Sequence, residues 1–409
     1  MTRRVLIAMS GGVDSSVTAY LLKQQGYECA GATMRLTCSR AFGDDAPGSC
    51  CSLSDLEDAE AVCGRLGIPW QAIDMRETFS HAVVDKFVRT YEAGRTPNPC
   101  IDCNRYLKFG ALLDYARDHG FDAVATGHYG RIRTLRETCA AQEAVHGSSW
   151  GAAQGSAELT ASASLLAAIA RRAGEVNSVY TLSCGVDATK DQSYVLYALT
   201  QERLAHTLLP LGSLVKERDV RRIAREQGFE NAAKRDSQGI CFVPDGDFAA
   251  YIERRRGRAW PEGDVLDTSG AVIGRHRGAI RYTIGQRKGL GVASAHPLYV
   301  TAIDAPANTV TLGAPEDLLA HGLTADDWVW SAPAAIMGEL LDEAGEAGLA
   351  VGAKIRYHHP TRPARLFWDA EGVRLMFDEA ERGIAPGQAV VIYAGDVVLG
   401  GGRVVRALA

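Results

Sequence analysis

The chain has no apolar run near the ~18 residues that a membrane-spanning helix requires. Between Met1-Thr2-Arg3-Arg4 and Ser10 there are only five apolar residues. That run is too short for a signal peptide and reads as a first β-strand, so the expectation is a cytoplasmic protein with no membrane partner. There is no internal repeat. Two common nucleotide fingerprints are also missing: no Gly-Lys-Ser/Thr closes a Walker A loop, and no Gly-x-Gly-x-x-Gly is present. With 46% hydrophobic and 23% charged residues, the composition excludes a disordered or fibrous chain. The 409 residues imply two or three domains.

The first 130 residues alternate strands and helices. Apolar runs predict strands at 5–9, 29–34, 70–75 and 123–126, with helices at 17–25, 53–66, 81–92 and 107–119 between them. Such alternation predicts a doubly wound α/β parallel sheet, whose ligands bind at the carboxyl ends of the strands. Those ends are Met9-Ser10, Met34 and Thr126-Gly127. Residues 137–176 break the pattern: twelve Ala and five Ser lie between Ala140 and Ala173. This reads as a flexible insertion with one short helix at 165–172. A strand at 179–183 and helices at 193–204 and 215–227 follow. Beyond about residue 247, short strands separated by Gly and Asp turns predict a small β-rich central domain and a C-terminal antiparallel β-barrel. The expected domains are 1–248, 249–322 and 323–409.

Charge is unevenly spread. Residues 216–288 carry sixteen Lys/Arg against eleven Asp/Glu, whereas 312–409 carry eight against fourteen. The basic middle suits a polyanion such as nucleic acid, although charge alone describes a solvated face equally simply. The run Arg254-Arg255-Arg256-Gly257-Arg258 and residues 275–288 are candidate phosphate contacts.

The most informative motif is Ser10-Gly11-Gly12-Val13-Asp14-Ser15-Ser16, between the first strand and the first helix. Glycines permit a tight turn, and loop amides with a helix N-terminus form an anion nest. Asp14 is too acidic to face phosphate directly and is a candidate for holding Mg²⁺. The second motif is Thr96-Pro97-Asn98-Pro99-Cys100-Ile101-Asp102-Cys103-Asn104. Its prolines are expected to exclude helix, placing Cys103 just before a helix N-terminus and beside Arg105 and Lys108, which favours thiolate. The third is Asp236-Ser237-Gln238-Gly239-Ile240-Cys241-Phe242.

The glycine loop resembles the pyrophosphatase loop of ATP-dependent adenylating enzymes, whose fold is adenine nucleotide alpha hydrolase-like. Taken with the two cysteine motifs, Thr126-Gly127-His128-Tyr129, Lys190-Asp191-Gln192-Ser193-Tyr194, the 282–291 stretch and Arg356-Tyr357-His358, the chain resembles the tRNA-specific 2-thiouridylase family. The resemblance runs from residue 5 to the C-terminus, excluding most of 137–176. It implies ATP-dependent replacement of the C2 oxygen of the wobble uridine, position 34, by sulfur. The C2 oxygen would be adenylated, Cys241 would carry sulfur as a persulfide, and Cys103 would act as nucleophile or resolving thiol. ATP is expected on Ala8, Met9, Ser10, Gly11, Gly12, Val13, Asp14, Ser15, Met34 and Gly127. The tRNA, specific for lysine, glutamate or glutamine, is expected on Asn98, Pro99, Cys100, His128, Lys190, Asp191, Gln192, Arg356 and Tyr357. A cysteine desulfurase or sulfur-relay protein is the implied sulfur donor.

One departure stands out. Many family members have a general acid/base Asp where this chain has Cys100. The three thiols Cys100, Cys103 and Cys241 are therefore also candidate ligands of an iron–sulfur cluster or of zinc. Two further alternatives stay open: another adenylating synthetase of the same loop class, and a non-catalytic RNA-binding module. Of the other cysteines, Cys29, Cys63 and Cys184 read as core, Cys139 belongs to the insertion, and Cys38, Cys50 and Cys51 lie in a Gly/Asp-rich loop. Trp328 and Trp330 are expected to be half core, half surface.

Overall fold

The computed structural model describes residues 2–36, 53–145, 156–174, 178–234, 236, 239–369 and 372–409. Cys38, Cys50, Cys51, Ser237 and Gln238 lie outside the described residues. The first apolar run forms the strand Arg4–Ala8, flanked in parallel by Glu28–Arg35 and Ala123–Ala125. Trp70–Asp74 and Thr207–Leu208 complete a five-stranded parallel sheet as its two edges. Its central strand is buried on both faces: Val5, Leu6 and Ile7 have no exposed surface, as a sheet covered by helices on both sides requires. Chain order reverses beside the first strand, so its carboxyl end opens at the crevice where doubly wound sheets bind ligands.

The central region is a four-stranded sheet of Gly263–Leu266, Val272–His276, Tyr299–Asp304 and Thr309–Gly313. The C-terminal region is a barrel of six antiparallel strands, closed by pairing of Leu319–Trp330 with Val397–Leu408. Trp328 and Trp330 are half-buried on the first of these strands, and Trp330 stacks on the exposed Trp368.

The insertion differs from the loop expected for it. Leu135–Val145 and Ser156–Arg172 are helices. They are bracketed by the strands Gly130–Thr134 and Tyr180–Cys184, which pair with each other. Tyr180–Cys184 also pairs with the barrel strand through Val397↔Ser183 and Val398↔Leu182. Leu165, Leu166 and Ile169 are buried in the barrel's own core. The Ala-rich composition hid this, because alanine is an excellent helix former that contributes little apolar periodicity.

Two members of the arginine run pair with the α/β domain while staying partly exposed. Arg255 bonds Ser80 and Asp85, and Arg256 pairs with Glu92 at 2.7 Å, fastening the helix Phe248–Arg256 to the helix Asp85–Glu92.

Leu166→Ala is expected to lower unfolding free energy by about 2–5 kcal/mol, as for a buried leucine. Urea denaturation checks this; a change below about 0.5 kcal/mol, typical of a surface site, would show that the helix contributes nothing to the core.

Candidate active site

The glycine loop is set by close packing. Gly11 has φ +71°, and a Cβ there would lie 2.3 Å from the Asp55 carbonyl oxygen. No other residue fits both conditions. The Gly12 carbonyl accepts the Ser15 hydroxyl at 2.9 Å and the Ser16 hydroxyl at 3.1 Å. Ser15 Oγ in turn accepts the Ser10 amide at 3.2 Å. The helix Val13–Gln24 starts immediately, earlier than the sequence pattern suggested, so its first-turn amides face the strand end. Gly127 closes the other side: a Cβ there would sit 2.9 Å from the Asp14 backbone carbonyl carbon. Ala8, Met9, Ser10, Gly11, Gly12, Val13, Asp14, Ser15, Met34 and Gly127 therefore gather at the carboxyl ends of adjacent strands.

Around this cradle stands a network that the motifs did not disclose. Asp14 accepts the Tyr129 hydroxyl through Oδ1 and the Lys216 ammonium through Oδ2, both at 2.7 Å. Lys216 is buried and also pairs with Asp236 at 2.7 Å. Lys190 and Arg221 reach the same Asp236 at 2.8 and 3.2 Å. Burial alone would raise the Asp236 carboxyl, but hydrogen bonds from Lys190 and Lys216 outweigh it and hold the group below the usual carboxylate range. Burial, reinforced by Asp14, pushes the Tyr129 phenol well up, so it stays protonated and donates. Lys234 lies on the other flank, bonding Asp55 and Asp58 at 2.6 Å and the Gly11 carbonyl at 3.3 Å. Asn231 bonds the same carbonyl at 3.0 Å. The sequence signal for this wall was the basic 215–227 helix and Lys234, whose distance along the chain concealed its position. Each oxygen of Asp14 thus accepts one protein donor and keeps a lone pair toward the cradle.

His128 is buried beside the cradle. Its Nε2 lies 3.4 Å from the Lys108 ammonium and its Nδ1 2.7 Å from the Thr126 hydroxyl. Since an ammonium only donates, Nε2 accepts and Nδ1–H donates to Thr126. Burial, then Lys108, depresses its pKa well below 6.5.

The cysteine motif corrects the reading of its prolines. Pro99 is the first helical residue, a position where its missing N–H is not needed. The helix runs on from Pro99–Asp102 through π-helical turns at Cys103–Ala111 to Leu112–Asp118. Cys103 is thus one turn inside the helix and buried, whereas Cys100 in the first turn is exposed. Cys103, Cys241, Phe242, Phe87 and Leu107 share one apolar cluster. Cys100 lies within electrostatic reach of Tyr357, whose phenol is raised to about 12 by burial, then by Asp191 and Cys100. Among the described residues no three His, Cys, Asp or Glu side chains are grouped to hold a metal ion. The Cys100, Cys103 and Cys241 set, one thiol at the surface and one in an apolar core, does not fit a cluster as it stands. Burial pushes the Cys63 and Cys184 thiols up to about 12, as expected of core cysteines.

The other expected tRNA contacts divide. Lys190 joins the wall of the glycine loop. Asp191 accepts the amides of Gly185 and Ser193 and the Ser193 hydroxyl, as a local staple. Gln192 accepts the Tyr129 amide at 3.0 Å. Arg356 donates to the Arg382 carbonyl at 2.8 Å. Asn98 precedes Pro99 at the start of the cysteine helix.

Because His128 is neutral when folded, the unfolded chain binds the extra proton between the depressed value and about 6.5. Its contribution to stability therefore rises with pH through that interval and is level above it. The urea midpoint of His128→Gln is expected to change less between about pH 5.5 and 7.5 than that of the parent. Equal pH dependence would contradict the neutral buried imidazole.

Three family models match successive parts of the chain. The tRNA methyl transferase HUP domain covers residues 3–245, the tRNA methyl transferase PRC-barrel domain 249–314, and the aminomethyltransferase beta-barrel domain 320–404. The tRNA-specific 2-thiouridylase MnmA of Clostridioides difficile (strain 630) is 41% identical over 413 residues, spanning 100% of this chain and 99% of its own. That of Geotalea uraniireducens (strain Rf4) is 41% identical over 410 residues, spanning 99% and 96%. That of Carboxydothermus hydrogenoformans is 42% identical over 413 residues, spanning 99% and 98%. With end-to-end identity of this order, and with the glycine loop and cysteine helix in place, the chain belongs to the tRNA-specific 2-thiouridylase family.

Proposed function

We propose that this chain catalyses ATP-dependent 2-thiolation of the wobble uridine of tRNA, in the cytoplasm. The observation that carries the reading is a juxtaposition. Ala8 and Met34, at the strand ends expected to hold the nucleotide, pack against the same apolar cluster as Cys103 and Cys241. In this reading phosphate chemistry and sulfur chemistry face each other across that cluster. In this reading residues 1–248 bind ATP and carry out the thiolation. Residues 249–322 bind tRNA, and 323–409 form the barrel.

The uridine C2 oxygen attacks the α-phosphorus of ATP, and pyrophosphate leaves into the Ser10–Ser15 cradle. The amides of the loop and of the first turn of Val13–Gln24 receive that product, with Lys190, Lys216 and Lys234, each paired to a carboxylate, bracing the cradle. Mg²⁺ bound with ATP would offset the charge of the phosphates, and Asp14 is the residue that would hold it. The terminal sulfur of a Cys241 persulfide then attacks C2, and AMP departs. Cys103 thiolate attacks Cys241 Sγ, which breaks the sulfur–sulfur bond and releases 2-thiouridine. The resulting Cys103–Cys241 disulfide is reopened by a thiol reductant. A cysteine desulfurase or sulfur-relay protein reloads Cys241. The flipped base enters past Asn98, Pro99, Cys100, Arg356 and Tyr357, with His128 deeper in the crevice. Asp191 and Gln192 act behind this rim as staples, and Lys190 serves the nucleotide.

The test is thiolation of unmodified lysine, glutamate or glutamine tRNA transcripts with ATP, Mg²⁺ and a persulfide donor, read as 2-thiouridine by nucleoside mass spectrometry. Cys103→Ser and Cys241→Ser are each expected to make no 2-thiouridine yet to retain tRNA-dependent exchange of pyrophosphate into ATP. If both variants form 2-thiouridine as the parent does, neither cysteine carries or resolves the sulfur; if the parent exchanges pyrophosphate but forms no 2-thiouridine, the chain is an adenylating synthetase of another kind.

A further inference from the structure

Asp102 separates the two thiols of Cys100-Ile101-Asp102-Cys103 from one another, yet it faces neither solvent nor the nucleotide. It is 1% exposed. Its Oδ1 pairs with Lys86 of the neighbouring helix at 3.1 Å and with Arg403 of the last barrel strand. Its Oδ2 is buried with no hydrogen-bond partner. A second carboxylate completes the arrangement from the barrel side. Asp327 pairs with Arg105 at 2.8 Å, Arg403 at 3.2 Å and Lys86 at 3.6 Å. Asp327 reaches this place through irregular backbone. The strand Leu319–Trp330 breaks register between Asp326 and Val329, and Asp327 has φ +47°. Such a conformation is uncommon for a residue other than glycine and persists where surrounding contacts hold it.

The residues on either side of Cys103 are anchored as well. Ile101 is buried in a cluster with the barrel residues Ala389, Val391 and Tyr393. Asn104 Nδ2 donates to the Val195 carbonyl at 3.0 Å. Ile101, Asp102 and Asn104 are therefore held on either side of Cys103, and one of the two cations on Asp102 comes from a strand some 300 residues later in the chain.

We propose that Asp102 and Arg403 form an inter-domain clamp that positions the Cys103 thiol. The last strand of the barrel is then a positioning element of the sulfur-transfer site and not only a docked β domain. A buried carboxylate is tolerated only while its cations stay in place. Loss of Arg403 leaves Asp102 with Lys86 alone and frees it to draw the first helical turn, with Cys103, toward solvent. The consequence for activity rests on the thiolation reading; the clamp itself does not.

The experiment uses the full-length chain and the variants Arg403→Met, Arg403→Lys and Asp102→Asn. The control is Arg131→Met, which breaks the Arg131–Asp396 pair between the hairpin and the barrel, away from the cysteine helix. Three quantities are read: single-turnover 2-thiouridine formation, tRNA affinity, and residue-resolved alkylation of Cys103 and of Cys63, which is buried in a different cluster. Arg403→Met and Asp102→Asn are expected to slow single turnover by about tenfold or more, as a displaced reacting group does. Their tRNA Kd should stay within about twofold of the parent, a split that separates positioning from binding. Cys103 alkylation should rise while Cys63 remains protected, Arg403→Lys should recover most of the rate, and Arg131→Met should match the parent in rate and in Cys103 protection.

Parent-like rates in Arg403→Met would overturn the clamp. So would a rate loss explained wholly by weaker tRNA binding, or joint deprotection of Cys103 and Cys63. If Arg403→Met does not fold, Asp102→Asn and Arg403→Lys decide by the same comparison. If the parent makes no 2-thiouridine, the thiolation reading falls, and selective exposure of Cys103 alone then decides the clamp.

Discussion

One buried ammonium holds the nucleotide end of this molecule together. Lys216 takes Asp14 from the glycine loop and Asp236 from the segment that leads to Cys241, both at 2.7 Å. An ammonium removed from water in this way is tolerated only with close opposite charge, and two carboxylates supply it. Each carboxylate is then restrained by further donors, Tyr129 on Asp14 and Lys190 and Arg221 on Asp236. The cradle and the approach to the second cysteine are consequently one electrostatic unit, although 222 residues separate Asp14 from Asp236 in the chain.

A second constraint acts at the barrel. The hairpin Gly130–Thr134 with Tyr180–Cys184 leaves the α/β unit and continues the barrel's sheet, and the helices between its strands cover barrel core residues. The ion pairs of Asp102 and Asp327 work in the same direction from the cysteine helix. Apolar burial joins the two units broadly and without direction, whereas the charge pairs fix orientation, because they are satisfied only in one geometry. The proposed sulfur transfer from a cysteine would depend on such fixation. A thiol one helical turn inside a buried helix has little freedom of its own, so its reach depends on where the helix is held.

The legibility of the sequence followed the range of the forces involved. Strong local signals succeeded. The Val5–Met9 run, the turn at Gly11-Gly12 and the helix Leu53–Leu66 all read as they fold, because burial on both faces, positive φ and helical periodicity are written in neighbouring residues. Two local signals misled. Pro99 reads as a helix breaker by residue type but opens the helix, since proline excludes only interior positions. The Ala/Ser-rich stretch looked like a loop because its buried side is confined to Leu165, Leu166 and Ile169. For Lys190 the local context was correct as a polar helix start, but its partner Asp236 could not be seen from the motif.

By itself the sequence determined the class of chemistry: a glycine loop between strand and helix for phosphate, and two cysteine motifs in a chain with no apolar run long enough to cross a membrane. Those features are contiguous and depend on backbone geometry and residue type. Only the tertiary structure decided which charges stand beside those motifs. Lys216, Asp236, Asp102, Asp327 and Arg403 are ordinary charged residues in the sequence. Their meaning comes from how the fold groups them: Lys216 and Asp102 are buried, and the less buried Asp236, Asp327 and Arg403 supply the opposite charges that make such burial tolerable.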